Sequence, residues 1–105
     1  MTLEILLSKI SSGNDVLEIF VQLCKAHNIQ YSERDQGIIK KYGLDLLKSI
    51  NGIEYHPNYP NRDMSLLFKG SINNEGLVIF RIIDDKNPVD DEAYSRAKKE
   101  LKKYF

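Results

Sequence analysis

Two apolar stretches separated by a short polar turn constrain the fold of this chain more than any other feature. Residues 64–69 and 77–83 are dense in aromatic and β-branched residues, which suit a packed, pleated surface. The segment between them contains Asn73, Asn74 and Gly76, residue types that tolerate the backbone conformations of tight turns. The pattern predicts a β-hairpin over 64–84. Its second strand is apolar on both faces, so we expect other elements to cover both sides of it.

The length and composition predict one folded domain, 1–105. A chain of 105 residues is long enough for a single hydrophobic core and too short for two. Hydrophobic residues make up 42% of it and charged residues 29%, which is typical of a folded soluble domain. The formal net charge is zero, whereas proteins that bind nucleic acid backbones usually carry a basic excess. Composition therefore favours a protein partner over a nucleic acid.

The N-terminal region and the single cysteine predict a cytoplasmic location. Glu4 stands where a signal peptide would carry basic residues, and no apolar stretch approaches the roughly 20 residues of a membrane-spanning helix. Cys24 has no second cysteine with which to form a disulfide within the chain, and it lies on the apolar stripe of an expected helix. We expect a buried, unreactive thiol there.

Helical spacing predicts two helices before residue 30. In segment 2–10, i, i+3, i+4, i+7 spacing is followed by Leu3, Leu6, Leu7 and Ile10, which predicts a short first helix. Asp15 and Glu18 form a capping-box pattern that opens a second helix running to about Ala26. Asn28 then suits the left-handed residue that often ends a helix.

The rest of the chain predicts a third helix, a further strand and a last helix. Ser32 opens one helix over 32–50, and a break near Gly43 is the alternative because glycine weakens a helix. Residues 53–56 alternate as an edge strand would, and an acid-rich start opens a helix over about 90–104. The predicted fold class is α+β: three N-terminal helices, a three-stranded antiparallel sheet and a C-terminal helix.

No motif predicts an active site, a metal or a cofactor. The glycines form no phosphate-binding loop, H-E-x-x-H is absent, and one cysteine excludes cysteine-based zinc clusters. The acidic run 84–95 fails as a calcium loop because Pro88 and Val89 occupy ligand and glycine positions. An acid–base pair of His27 and His56, or His56 with Arg62, stays open as an alternative for a small hydrolase or ribonuclease. We expect no catalytic residue, and hence no enzyme.

Two segments carry the residue types of protein interfaces. The loop 55–63 combines tyrosine, arginine and histidine with two prolines, and tyrosine and arginine are enriched where proteins bind one another. Segment 84–92 holds five acids against one lysine, a local charge of −4 that suits a basic partner. The alternatives are rings folded over the sheet edge and acids that only complement a helix dipole. The predicted partner-binding residues are Tyr55, His56, Tyr59, Arg62, Asp63, Asp84, Asp85, Asp90, Asp91 and Glu92.

The last helix offers a competing interpretation. Arg96, Lys99 and Lys103 are spaced three and four residues apart on one helix face, as a strip contacting phosphates would be. A small nucleic-acid-binding regulator is therefore the alternative function. The neutral overall charge favours the basic protein partner.

The segment Ile53-Glu54-Tyr55-His56-Pro57 resembles the Ile-Tyr-Tyr-Pro stretch of the immunity proteins of DNase colicins, with His56 in place of a tyrosine. In that family, tyrosines and nearby acids engage a nuclease. The family is all-helical, whereas this chain predicts a hairpin. The chain is also similar in type to the immunity proteins of contact-dependent growth inhibition systems, which are small, cytoplasmic and varied in fold. The resemblance implies a bacterial immunity or inhibitor protein that neutralises a cognate toxin by direct binding, with no membrane partner.

Overall fold

The computed structural model describes residues 2–57, 66–84 and 89–105, and within them the chain forms an α+β fold. The strands are β1 (Leu3–Leu6), β2 (Ile53–Tyr55), β3 (Leu67–Ile72) and β4 (Leu77–Ile83). The helices are α1 (Gly13–Ala26), α2 (Glu33–Leu47) and α3 (Asp91–Glu100), and 3-10 turns follow β1 and α3. The predicted fold class is confirmed at this level.

The sheet has four strands in the order β1-β4-β3-β2, and every neighbouring pair is antiparallel. The predicted hairpin is present, but its first strand begins at Leu67 and continues to Ile72, beyond the expected end. The turn between the two strands uses Gly76 at a φ of 76°, as its sequence indicates.

The prediction of a first helix over 2–10 is wrong. Residues Leu3–Leu6 form the edge strand that pairs with β4, and only Leu7–Lys9 form a 3-10 turn. Leu3 and Ile5 are buried and their neighbours exposed, so the segment follows the period of a strand. The two periodicities are hard to separate over so few residues, and the pairing with β4 decides the conformation. The sheet therefore has four strands where three were expected, and two helices lie between β1 and β2 where three helices were expected before the first strand.

Both longer helices begin at a capping box, but the box of α1 is not the predicted pair Asp15 and Glu18. Helix α1 begins after Ser12, three residues before the predicted cap, and the Asp15 carboxylate accepts from the backbone N–H of Ser11 at 2.8 Å and of Ser12 at 3.2 Å. Helix α2 begins after Ser32, whose hydroxyl accepts from the backbone N–H of Asp35 at 3.0 Å. Asn28 takes the left-handed conformation expected of it, with a φ of 56°.

Helix α2 runs through Gly43 without a break, as predicted for one helix, although it ends at Leu47 and not at residue 50. The glycine is there because α1 and α2 approach closely: a Cβ atom at this position would lie 2.9 Å from a methyl of Val16. Gly43 belongs to the buried side of α2 together with Ile39 and Leu47, whereas Tyr42 and Leu46 are exposed.

The three helices cover one face of the sheet, and the core lies between the two layers. Phe20 of α1 packs against Phe68 of β3 with ring centroids 5.2 Å apart, and Phe68 stacks on Phe80 of β4 at 5.9 Å. Gly70 lies between Ile53 and Phe80 in the register, because a Cβ there would come within 2.9 Å of both side chains. We expected both faces of the hairpin to be covered, and among the described residues the helices cover one of them.

Candidate partner-binding surfaces

The structure describes six of the ten predicted partner-binding residues. Tyr55, His56, Asp84, Asp90, Asp91 and Glu92 lie within the described ranges. Tyr59, Arg62, Asp63 and Asp85 lie outside the described residues. The described part of the predicted surface therefore consists of the ends of β2 and β4 and the start of α3.

Tyr55, at the end of β2, is half-buried and connects the sheet to α2. Its hydroxyl donates to the Oδ1 atom of Asp35 at 2.5 Å, and its ring meets Phe20 edge-on at 6.3 Å. Asp35 is fully buried and also accepts from the backbone N–H of Ser32 at 3.1 Å. Burial raises the pKa of the Tyr55 hydroxyl, and the hydrogen bond to Asp35 raises it further. These contacts give Tyr55 a role in packing two elements together.

His56 is exposed directly after β2, and its Nδ1 atom lies 2.8 Å from the carbonyl oxygen of Leu66. A carbonyl oxygen only accepts hydrogen bonds, so the Nδ1 atom of His56 carries the proton in this contact. His27 is buried at the end of α1, where it lines a cavity of about 380 Å³ together with Asp90 and Arg96. The described residues that line this cavity do not include His56, so the cavity does not unite the two imidazoles.

The acidic turn, which we define as Asp90, Asp91 and Glu92, forms the start of α3. Asp90 caps the helix by accepting from the backbone N–H of Glu92 at 2.9 Å. The Glu92 carboxylate lies 3.6 Å from the Arg96 guanidinium, and both side chains are largely exposed. All three acids of the acidic turn are exposed, so they complement the helix dipole and also present negative charge to the surroundings. Asp84 is half-buried at the end of β4.

The cationic strip of the last helix, which we define as Arg96, Lys99 and Lys103, is partly neutralised by carboxylates of the same chain. The Lys103 ammonium lies 2.7 Å from a Glu18 carboxylate oxygen of α1, and Arg96 pairs with Glu92. The hydrogen bond to Glu18 raises the pKa of Lys103. Two of the three cations proposed to contact phosphates therefore have carboxylate partners within the protein.

Sequence reasoning missed a polar cluster that ties the C-terminus to the start of α1. The Tyr104 hydroxyl lies 2.7 Å from Asp15 Oδ1 and 3.0 Å from Glu18 Oε2. Burial raises the pKa of Tyr104, and its two carboxylate partners raise it further. Burial acts to raise the pKa of Asp15, but hydrogen bonds from Ser11, Tyr104 and Ser12 outweigh it and lower the pKa. The capping pattern of Asp15 is visible in the sequence, whereas its partner 89 residues away is not.

Cys24 is fully buried and its thiol is free, as expected. Burial raises the pKa of this thiol, and the nearby Asp35 charge adds to the effect. In the described ranges, no group of three or more histidine, cysteine, aspartate or glutamate side chains has the arrangement of a metal site. None of the described helices has the length and apolar character needed to cross a membrane.

The side of the sheet that faces away from the helices, called here the outer face, is part-exposed and rich in aliphatic residues. Glu4 and Leu6 of β1 and Arg81 of β4 are exposed, with Leu6 at 47%, and the other outward side chains of β3 and β4 are half-buried. Antiparallel sheets with a solvated face usually place polar residues there. The outer face consists of Glu4, Leu6, Glu54, Leu67, Lys69, Ser71, Leu77, Ile79, Arg81 and Ile83.

The fold defines a two-layer α+β domain in which helices pack on one side of an antiparallel sheet. Comparison with family models, with curated proteins and with solved structures gives no match.

Proposed function

We propose that this protein is a non-enzymatic protein-binding module, of the immunity or inhibitor type, that neutralises a cognate bacterial toxin by direct binding. The acidic turn of α3 is the observation that carries the proposal. It places three exposed carboxylates within one helical turn, and a surface of this kind attracts a basic partner.

The ion pair of Lys103 supports a protein partner over nucleic acid. A phosphate-binding strip needs cations that are available to the ligand. Lys103 instead pairs with Glu18 of α1 at 2.7 Å. A basic region of a toxin, such as the substrate groove of a nuclease, matches the acidic turn better than a phosphate backbone matches this helix.

Charge reversal tests the proposal. The product of the neighbouring gene is purified, and its binding to the full chain is measured by titration calorimetry at about 50 and about 250 mM salt. We expect binding that weakens with salt, and a loss of affinity of about tenfold or more for the double variant Asp91→Lys/Glu92→Lys. Asp90 is left intact because it caps the helix.

A matched control separates local charge from net charge. The double variant Asp45→Lys/Glu75→Lys makes the same change of charge at two exposed positions outside the acidic turn, and its affinity should stay close to that of the wild type. Equal losses in both double variants would contradict a site at the acidic turn. If no protein partner is recovered from the native host and the neighbouring gene encodes no toxin, the proposed function is wrong.

A further inference from the structure

Half of the ten residues on the outer face of the sheet are aliphatic, whereas the solvated face of an antiparallel sheet is usually polar. Three of the four outward residues on β4 are aliphatic, namely Leu77, Ile79 and Ile83, and each has a neighbour across the sheet. Leu77 pairs with Leu6, and Ile83 pairs with Leu67. Contiguous apolar patches of this kind mark interaction sites.

The charges of the outer face are balanced and two of them have no partner within the described chain. Glu54 and Lys69 are cross-strand neighbours that form an ion pair at 3.6 Å. Glu4 and Arg81 form no ion pair with any residue in the ranges that the structure describes. They have opposite sign and flank Ile79: Glu4 lies across from Ile79 in the register, and Arg81 lies two residues further along β4.

We propose that the outer face binds a second copy of this chain, forming a two-fold symmetric dimer. A two-fold interface brings the same patch of both copies together, so the patch must be complementary to itself. The two-fold axis lies in the plane of the interface, perpendicular to the line between Glu4 and Arg81 and through its midpoint. It places each Glu4 opposite Arg81 of the second copy. The same axis brings the two Ile79 side chains together at the centre.

The size of the face sets the expected strength of the dimer. Strands lie about 4.8 Å apart and rise about 3.4 Å per residue, so the twenty residues of the four strands cover about 330 Å² of plane. Stable interfaces bury about 800 Å² of accessible surface on each partner, so this face is small for a stable interface. We therefore expect a weak dimer that forms at high protein concentration and leaves both acidic turns available.

Sedimentation equilibrium of the full chain from about 5 to about 500 µM tests the proposal, because the dimer should appear within this range. We expect Ile79→Lys to abolish association, since it places two like charges at the centre. Arg81→Glu and Glu4→Arg, each alone, should weaken association about tenfold or more. The double variant Glu4→Arg/Arg81→Glu should restore it, because the cross-copy pairs are re-formed with reversed polarity.

Two controls keep the result specific. Ile50 is a fully exposed aliphatic residue outside the sheet, at 103% relative exposure, so Ile50→Lys should leave association unchanged. Circular dichroism and urea unfolding of each variant report whether it is folded. A wild type that stays monomeric at the highest concentration overturns the proposal, as does a dimer that resists Ile79→Lys or fails to recover in the double charge swap. Binding of the toxin by the acidic turn is measured separately, so either proposal can fail alone.

Discussion

The hydrogen bond between Tyr55 and Asp35 allows a sharp test of what holds the sheet to α2. The substitution Tyr55→Phe removes one oxygen atom and retains the ring that packs against Phe20. Asp35 is fully buried, so its Oδ1 atom loses a donor at 2.5 Å in a place where water does not readily replace it.

Removing one partner of a buried polar group costs about 1–3 kcal/mol, and we expect Tyr55→Phe to lower the free energy of unfolding by that amount. The midpoint of thermal unfolding should fall by about 4–8 °C per kcal/mol for a domain of this size. Urea unfolding followed by circular dichroism measures the change. If the slope of the free energy of unfolding against urea concentration is unchanged, the variant has lost stability without a change in the surface exposed on unfolding.

Tyr94→Phe is the matched control, because it deletes the same atom elsewhere. The Tyr94 hydroxyl donates to the carbonyl oxygen of Thr2 at 3.0 Å in an exposed environment, so its loss should cost no more than about 0.5–1 kcal/mol. If Tyr55→Phe costs no more than Tyr94→Phe, the reasoning about a buried carboxylate is refuted.

Three further measurements test the packing and the ionisation of the domain. Gly70→Ala should destabilise the fold by about 1–3 kcal/mol because its Cβ would press on Phe80 and Ile53, whereas Gly37→Ala, with open space around a helical position, should stabilise it by about 0.5–1 kcal/mol. Equal effects in urea unfolding would contradict the close approach. The lowered pKa of Asp15 means that its contribution to stability is complete above its unfolded value, near pH 3.8, and is lost as the pH falls through the lower folded value. The stability difference between wild type and Asp15→Asn should therefore shrink in acid, and a difference that stays constant down to pH 2 argues against this linkage. Cys24 should react with a thiol reagent quickly in urea and slowly in the native state, because it is buried with a raised pKa; equally fast native labelling would show that the site opens.

Local patterns in the sequence determined the start of α2 and the turn chemistry, whereas α1 begins at Ser12, three residues before its predicted cap. Ser32 with Asp35 predicts where α2 begins, and Asn28 and Gly76 occupy the left-handed conformations that their residue types favour. These features depend on atoms within a few residues of one another, so the sequence contains all the information needed. Burial of Cys24 follows in the same way from its place on the apolar stripe of α1.

Only the tertiary structure decided the contacts between distant segments. The spacing of residues 3–10 suits a helix, but Leu3–Leu6 pair with β4 and form a strand, since the ladder of a partner about 75 residues away satisfies their backbone groups. Gly43 interrupts no helix, and its lack of a side chain lets Val16 of α1 approach α2 closely. The partners of Tyr55 and Tyr104, and the exposure of the outer face, likewise arise from the packing of elements far apart in the chain. The periodicity of the sequence indicates which side of a segment is apolar. The packing of helices on the sheet determines which residues that side contacts.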